Sequence, residues 1–489
     1  MNIEELKYQI LQQFGFPPTP EQAQALDVFV QFMTDSNPHA VMILRGSAGT
    51  GKTSLSGAIV RTLRAVRQKV MLLAPTGRAA KVFSLNSGMP AYTIHRRIYR
   101  EKAFAGVDGQ FNLNDNLYTD TLFMVDEASM IANLGLGGTT FGSGCLLDDL
   151  VHFVYQGRSD RLLLIGDKAQ LPPVGEEESP ALSAAMLQGY GLSVYECDLN
   201  EVVRQSQQSG ILFNATRIRQ MITHDDITQL PKIRFSGFSD IREMPGAELI
   251  EALGDSYHHV GLDDTIVVTR SNKRANIFNQ GIRNMVLDRE EELESGDMLM
   301  IVKNNYYWME EERKKIKESE ERRVQSNELP AFLANGDRAK VMKVSHRIEL
   351  YGFHFATLLL KFPDYDNYEL EATVLLDTLT SEAPALTHDQ QEQLFHKIEE
   401  DYQDIPLKAD RMKAIRQDPY FNALQVKFAY AVTCHKAQGG QWSHVYVDQG
   451  YMTDDMLTPD YIHWLYTAFT RATEMLYLVN WSNTQIEGE

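Results

Sequence analysis

The octapeptide GSAGTGKT (46–53) matches the pattern GxxxxGK[ST]. An apolar run, VMILRG (41–46), precedes it and a helical pattern, SLSGAIVRTL (54–63), follows. A strand, a tight loop and a helix N-terminus are therefore expected in that order. Gly46, Gly49 and Gly51 let backbone N–H groups close around a polyphosphate, with Ser47, Ala48 and Thr50 completing the loop. Lys52 reaches the β- and γ-oxygens, and Thr53, followed by Ser54, offers a hydroxyl to Mg2+ where the helix begins. Hydrolysis also needs carboxylates. TLFMVDE (121–127) supplies them at the end of an apolar run, Asp126 as the metal-shell ligand and Glu127 as the general base. A third run, RLLLIGD (161–167), leads into GDKAQLPPVG (166–175), where Gln170 can bond both a γ-phosphate and an attacking water, and Pro172-Pro173 stiffens its loop. ATP and Mg2+ are the expected ligands. A P-loop kinase of small molecules has no use for such a loop, whereas a motor must sense its γ-phosphate.

These loops require parallel strands to carry them. With KVMLLAPT (69–76), the runs above form one series of buried strands alternating with helical patterns. TIVVTR (265–270), FAYAVT (428–433), HVYVD (444–448) and MLYLV (475–479) form a second series. About 140 residues of different character interrupt it from near Arg289. That insertion contains EEERKKIKESEERR (310–323), whose Glu310/Lys314, Glu311/Lys315 and Glu318/Arg322 spacings suit a solvated helical arm. DRAKVMKVSHRIEL, HFATLLLKF and YELEATVLL then read as strands of a small barrel, and THDQQEQLFHKIEEDYQ as an acidic helix. A smaller insertion, EKAFAGVDGQFNLNDNLY (101–118), has a hairpin-turn signal at Asp108-Gly109 between Phe104 and Phe111. The Gly-rich stretch at 133–144 lacks a following GK[ST] and is read as a flexible connector.

At roughly 150 residues per domain, 489 residues allow about three domains. Hydrophobic residues at 43% and charged residues at 23% exclude wholesale disorder, collagen and coiled coil. No apolar run reaches the ~18 residues of a membrane span, and MNIEELKYQILQQ is a charged amphipathic start unlike a signal peptide. A cytoplasmic protein with no membrane partner is expected. Cys145, Cys197 and Cys434 are too scattered for a disulfide framework or a zinc site. The net charge of −19 argues against a phosphate-coated partner only weakly. Debye screening over ~8 to 10 Å lets a basic channel coexist with acidic outer faces.

In this order the motifs resemble those of the superfamily-one helicases, in the RecD-like, 5′-to-3′ branch, from TPEQ (19–22) to the C-terminal strand. The resemblance implies an α/β fold of two RecA-like parallel-sheet domains (P-loop NTPase) with a β-hairpin insertion and an SH3-like β-barrel insertion. The first RecA-like domain would occupy 1–98 and 119–235, the hairpin 99–118, the second domain 236–288 and 426–489, and the barrel with its helical arm 289–425. Gln22 would read the adenine edge. LAPTGRAA would set Pro75, Thr76 and Arg78 beside DNA, and TIHR would add Thr93 and His95. LNEVVRQ would make Arg204 a γ-phosphate contact. VTCHKAQGGQ would place Thr433, His435 and Lys436 on the DNA backbone, with Gln438 and Gly439 in a coupling loop near the nucleotide. YTAFTRA would make Arg471 the arginine finger, and Phe104 or Phe111 would tip a wedge at the fork. NGDRAKV (335–341) resembles the segment that opens the barrel in such proteins.

Simpler readings stand beside these. Arg471 and Arg204 also fit surface charges at helix ends, His95 and His435 scaffold histidines, and the hairpin a decoration. Tyr306, Tyr307 and Trp308 fit either base stacking or the barrel core. The expected activity is ATP-dependent, 5′-to-3′ translocation on single-stranded DNA with unwinding of forked duplex, by a monomer working with repair, recombination or replication proteins. The rival is a non-unwinding, ATP-switched clamp or a remodelling subunit.

Overall fold

The computed structural model describes residues 3–101, 111–134, 142–202, 208–224, 227–318 and 332–488. Its first sheet is built from β1 (Ala40–Gly46), β2 (Lys69–Ala74) and β3 (Ala91–Thr93). A two-stranded ribbon, β4 (Tyr99–Glu101) with β5 (Phe111–Leu113), comes before the sheet resumes with β6 (Thr121–Val125), β7 (Arg161–Gly166) and β8 (Ser193–Leu199). The strand order is β3-β2-β6-β7-β1-β8, with every pairing parallel. Alternate side chains of β1 serve different cores. Ala40, Met42 and Leu44 face the helices Ile3–Phe14, Pro20–Thr34 and Lys52–Ala65, while Val41 and Ile43 face the helix Leu146–Gln156. Burial on both faces is why these strands read as unbroken apolar runs. The register pairs Arg45 with Gly166, and Val125 with both Leu73 and Leu164. The loops after β1, β2, β6 and β7 thus leave the sheet together at its carboxyl edge, where α/β sheets bind their ligands.

The chain then forms β9 (Ile241–Met244) and β10 (Thr265–Thr269), departs into β11 (Met298–Ile301), β12 (Arg338–Leu350), β13 (Phe353–Phe362), β14 (Tyr368–Leu375) and β15 (Leu424–Phe428), and returns as β16 (Ala431–Thr433), β17 (Trp442–Asp448) and β18 (Ala472–Val479). β11 to β15 close a barrel; the others form a parallel sheet in the order β16-β10-β17-β18-β9. One apolar core spans this sheet and the barrel, running from Val267 and Tyr446 to Leu299, Val341 and Leu358. It also takes in Ala169 and Leu171 from the loop after β7, so the first lobe inserts a loop into the core of the second.

Several local expectations change in the folded chain. FAYAVT is two strands: Phe428 ends β15 in the barrel, and Ala431 begins β16 in the sheet. The last barrel strand accordingly crosses the division expected between 425 and 426. On the arm helix Tyr307–Glu318, Lys314 pairs with Glu311 at 2.6 Å and Lys315 with Glu312 at 2.8 Å. Those pairs are three residues apart, where four had been expected. The Glu318/Arg322 spacing lies outside the described residues, as do Phe104, the Asp108-Gly109 turn, Arg204 and most of the Gly-rich connector. The Phe111 backbone belongs to β5, but its side chain is likewise outside the description.

Candidate functional site

The loop after β1 turns through two left-handed glycines, Gly49 at φ +76° and Gly51 at φ +81°, a conformation that a side chain makes costly. Gly46 is required by close approach: a Cβ there would lie 2.8 Å from Lys52 Cγ and 2.9 Å from Thr50 Oγ1. Lys52 Nζ folds back onto the carbonyls of Gly46 and Ser47, and Thr50 Oγ1 donates to Ser47 O at 2.8 Å. Thr19 and Gln22 form a reciprocal capping box at the start of the helix Pro20–Thr34. The Gln22 amide then donates to Thr50 O at 2.9 Å. Gln22 is therefore buried with both ends of its amide engaged, and it braces the phosphate loop from behind.

Asp126 and Glu127 follow β6. Glu127 sits at φ +52°, an uncommon backbone position for a residue with a side chain, and its N–H donates to Asp126 Oδ1 at 2.9 Å. Burial, then the charge of Glu127, pushes the Asp126 carboxyl above its ordinary range, while Lys52 pulls the other way. The loop after β7 carries Gln170 between the lobes. Oriented to match its neighbours, the Gln170 amide donates to Glu127 Oε2 at 3.3 Å and accepts from Arg471 Nη2 at 3.2 Å. Arg471 is 2% exposed, which removes the surface-charge reading. Its guanidinium also donates to Thr467 O and Gly440 O, each at 3.0 Å, and to Thr470 Oγ1 at 3.1 Å.

Further bonds tie the same loop to the second lobe. Leu171 N donates to Thr467 Oγ1, and Gln438 Nε2 donates to Leu171 O, both at 2.7 Å. His463 Nδ1 lies 2.9 Å from Ala169 O. Tyr466 donates to Asp167 Oδ2 at 2.6 Å and accepts from Ala48 N at 2.9 Å. His463, Tyr466 and Thr467 belong to the helix Pro459–Phe469 at spacings of three and four, one face that points at the first lobe. Sequence reasoning missed all three. Counting back from Arg471 in steps of four would have found Thr467 and His463, though not Tyr466. Arg219 was missed too and had no motif to announce it; its guanidinium reaches Ser47 Oγ and donates to Asn200 O at 3.3 Å.

Residues 18–230 match the AAA domain family, and residues 428–479 match the UvrD-like helicase C-terminal domain. The ATP-dependent RecD2 DNA helicase of Deinococcus radiodurans is 30% identical over 193 residues, 39% of this chain and 22% of that protein. The ATP-dependent DNA helicase Dda of Enterobacteria phage T4 is 24% identical over 300 residues, 58% of this chain and 60% of that protein. The Pif1 helicase from Bacteroides, solved with ADP-AlF3 and ssDNA, is 13% identical, with 97% of this chain and 95% of that one covered and a TM-score of 0.45. The two family matches fall on the P-loop half and on the C-terminal end of the chain, and both curated relatives are ATP-dependent DNA helicases. The chain spans less than two thirds of the length of either curated relative.

The residues expected to touch DNA do not all stand free. Pro75 and Thr76 leave β2, and the Thr76 hydroxyl caps the helix Gly77–Ser87 by accepting from Ala79 N at 3.2 Å. Arg78 donates to Asp364 Oδ1 at 3.1 Å and to Gln441 O at 2.9 Å, and it lies over the Trp442 ring. Thr93 caps the helix Ile94–Ile98. His95 packs near the rings of Tyr99 and Phe332, and burial pushes its pKa down to about 4, opposed by Asp149. It is therefore a neutral imidazole at pH 7. Thr433 begins the turn Cys434–Ala437, with His435 exposed on it. Lys436 bonds Asn335 of the barrel, and burial, with Lys427 nearby, pushes it down to about 8. Gly439, at φ +72°, lies where a Cβ would meet Thr76 Oγ1 at 3.0 Å and Ala79 Cβ at 3.1 Å. Its surroundings are the first lobe's Gly77–Ser87 helix, an interlobe contact. Tyr307 and Trp308 are tied to the carbonyls of Gln417 and Asn422 within the insertion, at 3.1 and 2.9 Å.

Proposed function

We propose that this chain is an ATP-dependent DNA helicase that translocates 5′ to 3′ on single-stranded DNA and unwinds forked duplex. The observation that carries the reading is the Gln170 bridge, from Glu127 of the first lobe to Arg471 of the second. A base and a cation that sit on different lobes and share one amide make hydrolysis sensitive to how the lobes meet. Glu127 takes the proton of the attacking water, Gln170 orients that water, and Lys52 and Arg471 stabilise charge on the transferring phosphoryl group. Arg204 is assigned to the same task from its sequence motif, and Phe104 or Phe111 to the wedge. Lobe movement on turnover then advances the strand.

Thr53 and Asp126 would hold Mg2+. Two adjacent carboxylates, one of them buried with a raised pKa, are a donor set short of positive charge, and this fits a divalent ion. Bound there, the ion would neutralise phosphate charge. Among the described residues no helix is long and apolar enough to cross a membrane.

A tailed-duplex assay tests the reading. Duplex with a 5′ single-stranded tail should be unwound with ATP, duplex with a 3′ tail should not, and Lys52→Ala should abolish both unwinding and hydrolysis. One observation favours the clamp reading: Arg78 and Lys81 are held by the 363–364 segment of the barrel, which closes the first lobe onto the insertion. DNA-stimulated hydrolysis without strand separation on either substrate would select it.

A further inference from the structure

The P-loop and the Gln170 loop come from different strands, and one atom touches both. Tyr466 is almost wholly buried, and its phenol oxygen accepts from Ala48 N at 2.9 Å while its proton goes to Asp167 Oδ2 at 2.6 Å. Ala48 lies inside the phosphate loop. Asp167 starts the other loop: its Oδ1 accepts from Ala169 N at 2.9 Å and its backbone carbonyl accepts from Gln170 N at 3.3 Å. The Asp167 carboxylate thus sets the turn that aims Gln170, and the phenol holds that carboxylate against the P-loop. The tyrosine reaches both from the second lobe, five residues before Arg471 on the same helix-to-strand segment. A ring of equal size without the hydroxyl would fill the same space and make neither bond.

We propose that Tyr466 is a positioning residue for ATP hydrolysis, delivered by the second lobe to lock the P-loop backbone and the Gln170 turn into one geometry. Rotating or withdrawing the second lobe removes the phenol together with Arg471. Turnover is thereby gated twice by a single movement, once through charge and once through the alignment of the two loops. Thr467, which accepts from Leu171 N at 2.7 Å, holds the far end of the same loop. The inference rests on the ATPase part of the proposed function and is independent of strand separation.

Tyr466→Phe in the full chain provides the test, with steady-state ATP hydrolysis measured with and without oligo(dT). Losing a buried hydrogen bond to a charged group should lower kcat about tenfold or more. KM for ATP and the Kd for oligo(dT) should stay close to those of the unmodified chain, while the thermal midpoint should fall by the few degrees that unpaired buried groups cost. Asp167→Asn, which keeps an acceptor for the phenol, should lose less activity than Asp167→Ala. An unchanged kcat in Tyr466→Phe overturns the proposal. So does a loss of kcat matched by a rise in KM for ATP or a fall in oligo(dT) affinity, since that is the mark of a general disturbance of packing. If the unmodified chain hydrolyses ATP without responding to oligo(dT), the DNA-motor reading falls and Tyr466 is judged on basal kcat alone. If it hydrolyses no ATP, both fall.

Discussion

Glu127 holds its carboxylate at the centre of the site from a left-handed backbone position, with Gln170 donating to it at 3.3 Å. Strain of this kind persists where surrounding structure over-determines a residue, here the 3₁₀ turn Ala128–Met130 and the end of β6. Glu127→Gln preserves shape and removes the base. Nucleotide binding should survive, while turnover should fall by about 10² to 10⁴, the usual worth of a general base. Equilibrium binding and single-turnover hydrolysis together check this, and turnover at the unmodified rate would remove Glu127 from the role. The same change deletes the second-largest cause of the raised Asp126 pKa, so the neighbouring carboxyl should titrate lower in the variant.

The helix Gly77–Ser87 meets the barrel through a contact that only glycine permits. A Cβ on Gly77 would lie 2.8 Å from both Asp337 Oδ1 and Tyr365 Oη. Asp337 is buried there, accepting from Tyr365 Oη at 2.6 Å and Ala334 N at 2.7 Å, and burial pushes its pKa up to about 7. A carboxyl whose folded pKa exceeds its unfolded value near 3.8 binds more protons when folded. Its contribution to stability is present in full below that unfolded value and is lost as pH rises through about 7. Asp337→Asn removes the titration and keeps an acceptor. Between about pH 5 and pH 8 its thermal midpoint should therefore decline less than that of the unmodified chain. Parallel midpoint-versus-pH curves would show that Asp337 is not protonated at this junction.

Two lobes, a barrel grown out of the second and a ribbon grown out of the first make the whole molecule one connected machine. The interlobe contact is polar at Gln170–Arg471, Leu171–Thr467 and Gln438–Leu171, and apolar where Ala169 and Leu171 enter the second core. Among the described residues the ribbon β4–β5 pairs as a separate two-stranded sheet, away from this contact. Replacing residues 102–110 with a two-residue turn should leave DNA-stimulated hydrolysis intact and eliminate unwinding of a forked duplex, if the ribbon is the wedge. Retention of both activities in the trimmed chain would return the ribbon to a surface decoration.

Reading the chain alone was enough for the strands that carry the P-loop, the Asp126-Glu127 pair and Gln170. Buried parallel strands are local apolar runs, and the chemistry sits in the few residues after each. The barrel strands β12, β13 and β14 were legible for the same reason, through their alternation and apolar runs. β8 was not: Ser193–Leu199 is a half-exposed edge strand whose polar residues hide its pairing with β1. Only the folded molecule assigns Gln22 to bracing the P-loop, Arg78 to Asp364, and Tyr466 to Ala48 and Asp167. Those partners lie 28, 286, 418 and 299 residues apart in the chain. Local propensity carries no information across such separations. Which donor meets which acceptor is decided when the lobes and barrel pack and every buried polar group must find a partner.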